Sequence, residues 1–77
     1  MPELTGIKYV SVAHAAGHWL VSVENEVPQH FPTRGRAVIA AHEIARRVHR
    51  EEGRPSAVRA LLSNGQWNVL MRFDKPA

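Results

Sequence analysis

The segment from Arg34 to Glu52 constrains the fold most, because it combines helical periodicity with a start signal and a stop signal. At 100° per residue its apolar side chains fall on one arc, formed by Ala37, Val38, Ala40, Ala41, Ile44, Ala45 and Val48. Thr33 suits the N-cap, Gly53 suits the position after the last turn, and Pro55 prevents continuation. The pattern predicts one amphipathic helix over residues 34–52, whose alanines allow close approach to a sheet.

The motif Gly-x-Trp-x-Val occurs twice, at residues 17–21 and 65–69. In each copy the glycine ends a turn and apolar residues alternate after it, which is typical of the returning strand of a hairpin. We expect both tryptophans to point inward and to anchor the core. On the last strand, Trp67, Val69, Met71 and Phe73 share the inward face in this interpretation.

The order of elements therefore predicts a single α+β domain over residues 1–77 with a β-β-α-β-β arrangement. Four strands, at about residues 7–14, 18–24, 57–62 and 66–73, are expected to form an antiparallel sheet. A short fifth strand at residues 29–31 would lie at an edge, because prolines flank it. The helix would pack on one face of this sheet.

Length and composition limit the class of protein. With 77 residues and no cysteine, the chain has a modest core and no disulfide to reinforce it, so a homodimer is one way to bury more surface. The first ten residues lack the pattern of a signal peptide, and no apolar run approaches the length of a membrane span. We expect a cytoplasmic protein without a membrane partner.

The sequence contains few candidates for catalytic or metal-binding residues. The five histidines are spread along the chain, and in the zinc-protease-like string at residues 42–46 Arg46 stands where a second histidine is required. No serine has an evident base and acid beside it, and no glycine-rich phosphate loop occurs. The sequence predicts no catalytic, cofactor-binding or metal-binding residues and favours a non-enzymatic protein.

The positive charge is concentrated on and around the helix. Residues 34–59 hold seven arginines against three glutamates, and the polar arc of the helix is expected to carry His42 and His49 beside the arginines. The candidate partner-binding residues are Arg36, Ile39, Arg46, Arg47, Arg50 and Arg54. An apolar side chain ringed by arginines suits an acidic macromolecule, either nucleic acid or protein. The alternative is an ordinary solvated helix surface with one exposed isoleucine, and a GC-rich genome would account for the number of arginines.

The face of the sheet away from the helix is a second candidate. Depending on register it could carry Lys8, Tyr9, Arg59 or Arg72. Such a face can stack bases of single-stranded RNA on aromatic side chains, or it can pair with a second copy of the chain. No aromatic RNA-binding string of the Gly-Phe-Gly-Phe-Val type is present.

The strings WLVSV, FPTRGRA, AHEIAR and LLSNGQW follow one another within residues 17–67. Together they resemble small bacterial and phage proteins grouped as domain of unknown function 2188. That family has a Trp-x-Val strand, a short lead into an alanine-rich helix and a final hairpin with Asp-Gly or Asn-Gly. The resemblance implies a fold and no activity. In size and layout the chain also looks like small phage inhibitors of host machines, such as anti-CRISPR proteins.

Three hypotheses follow for the function. The first is a small basic binding module that docks on nucleic acid or on a nucleic-acid-handling protein through the arginine side of the helix. The alternative is a phage-type inhibitor that acts by protein–protein binding, with the helix arginines incidental. A third is a structural homodimer that pairs the uncovered sheet faces.

Overall fold

The computed structural model describes residues 6–24 and 26–74; residues 1–5, on which the signal-peptide expectation partly rests, lie outside them. The elements follow one another as five strands and one helix. They are β1 (Lys8–Ala15), β2 (His18–Val23), β3 (Gln29–Phe31), α1 (Arg34–Glu52), β4 (Ser56–Leu61) and β5 (Trp67–Phe73). The predicted α+β class is confirmed, and the short third strand is present at an edge of the sheet.

The sheet has five strands in the order β3-β2-β1-β4-β5. All neighbouring pairs are antiparallel except the central pair, β1 and β4, which is parallel. The expectation of a purely antiparallel sheet was therefore wrong. The cause is the direction of the chain. Because β3 reverses the chain once more before α1, β4 follows the helix in the same direction as β1.

Helix α1 has the predicted boundaries, which its two caps explain. The Thr33 Oγ1 accepts a hydrogen bond from the Arg36 backbone N–H at 3.2 Å. At the other end Gly53 has a φ of 69°, and its N–H donates to the His49 carbonyl. The left-handed backbone conformation costs glycine little free energy, so the helix ends here without strain.

The core lies between α1 and the sheet and is built of small side chains. Three alanines of α1, residues 37, 41 and 45, are fully buried against valines of the central strands, Val10, Val12 and Val58. Ser56 is also buried and donates a hydrogen bond from Oγ to the Ala45 carbonyl at 2.7 Å, which fastens β4 to the helix. Trp19 packs against this core, as predicted.

The other tryptophan does not reach the core. A register shift pairs Val58 with Met71 but Arg59 with Val69, so Leu70 is an extra residue in β5. This bulge reverses the alternation of side chains. Met71 and Phe73 pack against the core, whereas Trp67 and Val69 are exposed on the opposite face. The prediction that all four face inward was therefore wrong for the first two.

The turn between β1 and β2 offers a stabilising substitution. Ala16 and Gly17 form a two-residue connection with φ angles of 49° and 84°. A left-handed alanine is unfavourable, whereas asparagine is the preferred residue before glycine in such a turn. We expect Ala16→Asn to raise the free energy of unfolding by roughly 0.5–1 kcal/mol, measured by urea denaturation. Ala15→Asn, at the end of β1, is the control and should give no gain; equal effects at both positions would contradict this explanation.

Candidate nucleic-acid interface

The side of α1 that faces away from the sheet carries most of the predicted binding residues. Ile39 is 66% exposed and lies opposite the buried alanines. The arginines around it are also exposed, namely Arg36, Arg46, Arg47 and Arg50. We call these five residues the helix outer face. They lie together because the 3.6-residue repeat that buries Ala37, Ala41 and Ala45 turns them to the opposite side.

Glu43 is the acidic residue within this surface. The Arg46 Nη2 donates a hydrogen bond to its Oε1 at 2.8 Å. This hydrogen bond and the charge of Arg46 lower the pKa of Glu43 below its ordinary value. The carboxylate therefore stays ionised at neutral pH, and the helix outer face carries four positive charges and this one negative charge. Glu51 lies one turn beyond Arg47, at the end of the helix.

Arg54 is not part of the helix outer face. Its guanidinium donates to the Gly6 carbonyl at 3.2 and 3.4 Å and lies within 4 Å of the carboxylates of Glu24 and Glu52. Its side chain is mostly buried. These contacts connect the segment that follows α1 to the segment that precedes β1. The structure therefore places Arg54 apart from the other candidate residues, because position 54 lies past Gly53, where the helical repeat has ended.

The two helix histidines also differ from expectation. His42 stacks on Phe73 with ring centroids 5.5 Å apart, and the His49 ring lies 6.2 Å from the same phenyl ring. Both histidines are half-buried against β5 rather than exposed beside the arginines. Among residues 6–24 and 26–74, no three side chains of the metal-ligating types are grouped in a way that could hold an ion.

The uncovered face of the sheet holds a stack that the sequence did not reveal. The Arg59 guanidinium carbon lies 4.4 Å from the ring centroid of Tyr9 and 4.2 Å from that of Trp67, within the range of cation–π interactions. Its Nε donates to the Ser11 Oγ at 3.0 Å. Of the residues that the uncovered face could have carried, Lys8 is placed by the register on the helix side instead, where it is buried and paired with Glu52.

Comparison with known proteins identifies no relative. No family model matches the chain, and no curated protein or solved structure matches it. The resemblance to domain of unknown function 2188 stays a prediction. Helix α1, the helix within the described residues, is not apolar enough along its length to cross a membrane.

Proposed function

We propose that this chain is a non-enzymatic binding module that docks on nucleic acid through the helix outer face. The observation that carries the proposal is the grouping of Arg36, Arg46, Arg47 and Arg50 around the exposed Ile39, on the side of α1 opposite its buried alanines. Guanidinium groups bind phosphates through a planar fork of donors, and phosphate contacts dominate the affinity of proteins for nucleic acid.

The distribution of charge favours this surface over the uncovered sheet face. On the helix outer face four arginines stand against Glu43. The sheet face holds fewer arginines, Arg59 and Arg72, and Arg72 lies 3.6 Å from Asp74. A polyanion is attracted more strongly to the surface with the larger positive charge. The length of the helix outer face also fits, because Arg36 and Arg50 are separated by about 21 Å along the helix axis, a distance that spans several phosphates.

A salt titration tests this proposal. If the four arginines each neutralise one phosphate, log Kd should change with log salt with a slope of magnitude about 3.6 for a duplex and about 2.8 for a single strand. Fluorescence anisotropy with labelled oligonucleotides at several salt concentrations gives the slope. Absence of binding at low salt would contradict the proposal and would favour the alternative of an inhibitor that acts on a protein.

A pair of single charge reversals localises the interaction. Arg50 belongs to the helix outer face, whereas Arg72 is exposed on the sheet face and lies 3.6 Å from Asp74. Arg50→Glu and Arg72→Glu change the net charge of the protein equally. We expect the first to weaken binding by about tenfold and the second to have little effect. Equal losses would mean that only the overall charge matters and would contradict a site on α1.

Removal of the Glu43 charge should strengthen binding to nucleic acid. Glu43 is exposed and repels a phosphate that approaches Arg46 or Arg47. In Glu43→Gln the side chain keeps its size and loses its charge, so affinity should rise by roughly twofold to fourfold at low salt. The same change at Glu26, an exposed residue outside α1, is the control and should leave affinity unchanged. Weaker binding by Glu43→Gln would show that the Arg46 pairing is needed for the site.

A further inference from the structure

We infer that the uncovered face of the sheet is a homodimer interface that binds a second copy of this chain. The large apolar side chains are distributed unusually for so short a protein. The largest fully buried side chains in the described residues are valines, whereas Leu61, Leu62, Trp67 and Val69 are between 39% and 47% exposed. Leu61, Trp67 and Val69 lie on the uncovered face at the hairpin of β4 and β5, and Leu62 follows in the turn, so the monomer leaves an apolar cluster in water.

The strand registers show that this cluster continues across the sheet. Leu20 of β2 lies opposite Ala13 of β1, and Leu61 of β4 lies opposite Trp67 of β5. Because β1 and β4 are neighbours with Ser11 beside Arg59, Ala13 and Leu61 fall in the same row of side chains. The row therefore runs over four strands without a charged residue. A continuous apolar row on an uncovered face is typical of the inner surface of packed sheets.

The contacts around Arg59 hold this side chain in place on the uncovered face. Its guanidinium is held between Tyr9 and Trp67 and by the hydroxyl of Ser11. Tyrosine, tryptophan and arginine contribute most of the binding energy in many protein interfaces, and a side chain that is already fixed loses little entropy on association. The bulge at Leu70 places Trp67 on this face, so the bulge creates the surface rather than merely disturbing the strand.

The face is complementary to itself. Since β1 is the central strand, a two-fold axis parallel to it places β2 of one copy opposite β4 of the other. Leu20 of each copy then meets Leu61 of its partner, and Glu24 approaches the side that carries Arg59 and Arg72. Five strands at a spacing of about 4.8 Å make a face about 24 Å wide. This face carries Arg59 and Arg72, fewer arginines than the helix outer face, which disfavours nucleic acid as its occupant.

The homodimer does not depend on the proposed function, but it would affect how the protein binds nucleic acid. In such a dimer the two helices lie on opposite outer sides, so both helix outer faces stay accessible. Two separate segments of nucleic acid could then be held by one dimer, with a gain in apparent affinity for long strands.

Sedimentation equilibrium over a dilution series tests the dimer. The wild-type chain should show twice its monomer mass of 8.6 kDa, with dissociation on dilution. Val69→Lys places a charge on the proposed interface and should weaken association by about tenfold or more. Ile39→Lys makes the matched change on the helix outer face and should leave the dimer intact. Both positions are exposed, so neither change should unfold the monomer, which circular dichroism checks.

Two results would overturn the inference. One is a wild-type mass of 8.6 kDa at every concentration up to the solubility limit. The other is a dimer that Val69→Lys does not weaken, because that dimer must use another surface. Fluorescence adds a third criterion: in a Trp19→Phe background, the emission of Trp67 should shift to longer wavelength on dilution. If the protein is monomeric and single-stranded oligonucleotide moves the Trp67 emission to shorter wavelength, this face binds nucleic acid instead of a second copy.

Discussion

The variant Arg46→Glu, Arg50→Glu is expected to lose binding to nucleic acid while it keeps its fold. The two changes convert the helix outer face from a net charge of three positive to one negative, counting Glu43. Two phosphate contacts are lost and two repulsions are introduced, so affinity at low salt should fall by about 100-fold or more. Anisotropy titrations with the same oligonucleotide as for the wild type measure the change.

The control for this variant separates charge from shape. Arg46→Lys, Arg50→Lys keeps the positive charges and loses only the planar donor fork, so it should retain most of the affinity. Both arginines are exposed, and circular dichroism and thermal melts should show that both double variants are folded. Unchanged binding by the glutamate variant would remove the helix outer face from consideration as the site.

The second large effect is expected in the core, where Ala41→Leu should destabilise the protein. Ala41 has no accessible surface and lies where α1 approaches the valines of β1 and β4. Three added carbon atoms have no space there, so the helix must move away from the sheet or adopt strained side chains. The expected loss is about 1–3 kcal/mol. For a domain of this size, whose total stability is of the order of 4–12 kcal/mol, that is a large fraction.

Urea denaturation of Ala41→Leu and Ala40→Leu gives a matched comparison. Ala40 is only half-buried, at the flank of the helix, so a leucine there can extend along the surface. We expect the midpoint to fall strongly for Ala41→Leu and to change little for Ala40→Leu. Similar midpoints for the two variants would show that the helix and sheet are not in close contact at Ala41.

The helix could be predicted in full because every signal that defines it is local. Thr33 caps its start, Gly53 ends it in a left-handed conformation, and the apolar repeat between them identifies the buried side. The same repeat predicted four of the five arginines correctly as exposed. It could not predict Arg54, since beyond Gly53 the orientation of a side chain depends on tertiary contacts, here those with Gly6 and Glu24.

The sheet was predicted less completely because the pairing of strands depends on residues that are far apart in the sequence. The strands themselves are recognisable from alternation and turn residues. The direction of β4 relative to β1 depended on whether residues 29–31 form a strand, since that one strand reverses the chain once more. The side chains on the uncovered face could not be predicted because they depend on a single extra residue, Leu70, which moves Trp67 from the core side to the exposed side. Nothing in the string QWNVLMRF marks the position of such a bulge.

The two copies of Gly-x-Trp-x-Val illustrate this limit. Both begin the second strand of a hairpin, as the sequence indicates, yet Trp19 packs against the core and Trp67 is 43% exposed on the other face. The motif specifies a turn and a strand, whereas the register decides the face. The repeat therefore reflects shared turn chemistry rather than two equivalent halves.

Nuclear magnetic resonance of the 15N-labelled protein during titration with an oligonucleotide locates the surface that binds nucleic acid. The Nε–Hε signals of arginine side chains report phosphate contacts residue by residue. We expect changes at Arg36, Arg46, Arg47 and Arg50, with Arg59 and the Trp67 indole unaffected. Changes confined to Arg59 and Trp67, or no changes at all, would rule out the helix outer face as the site.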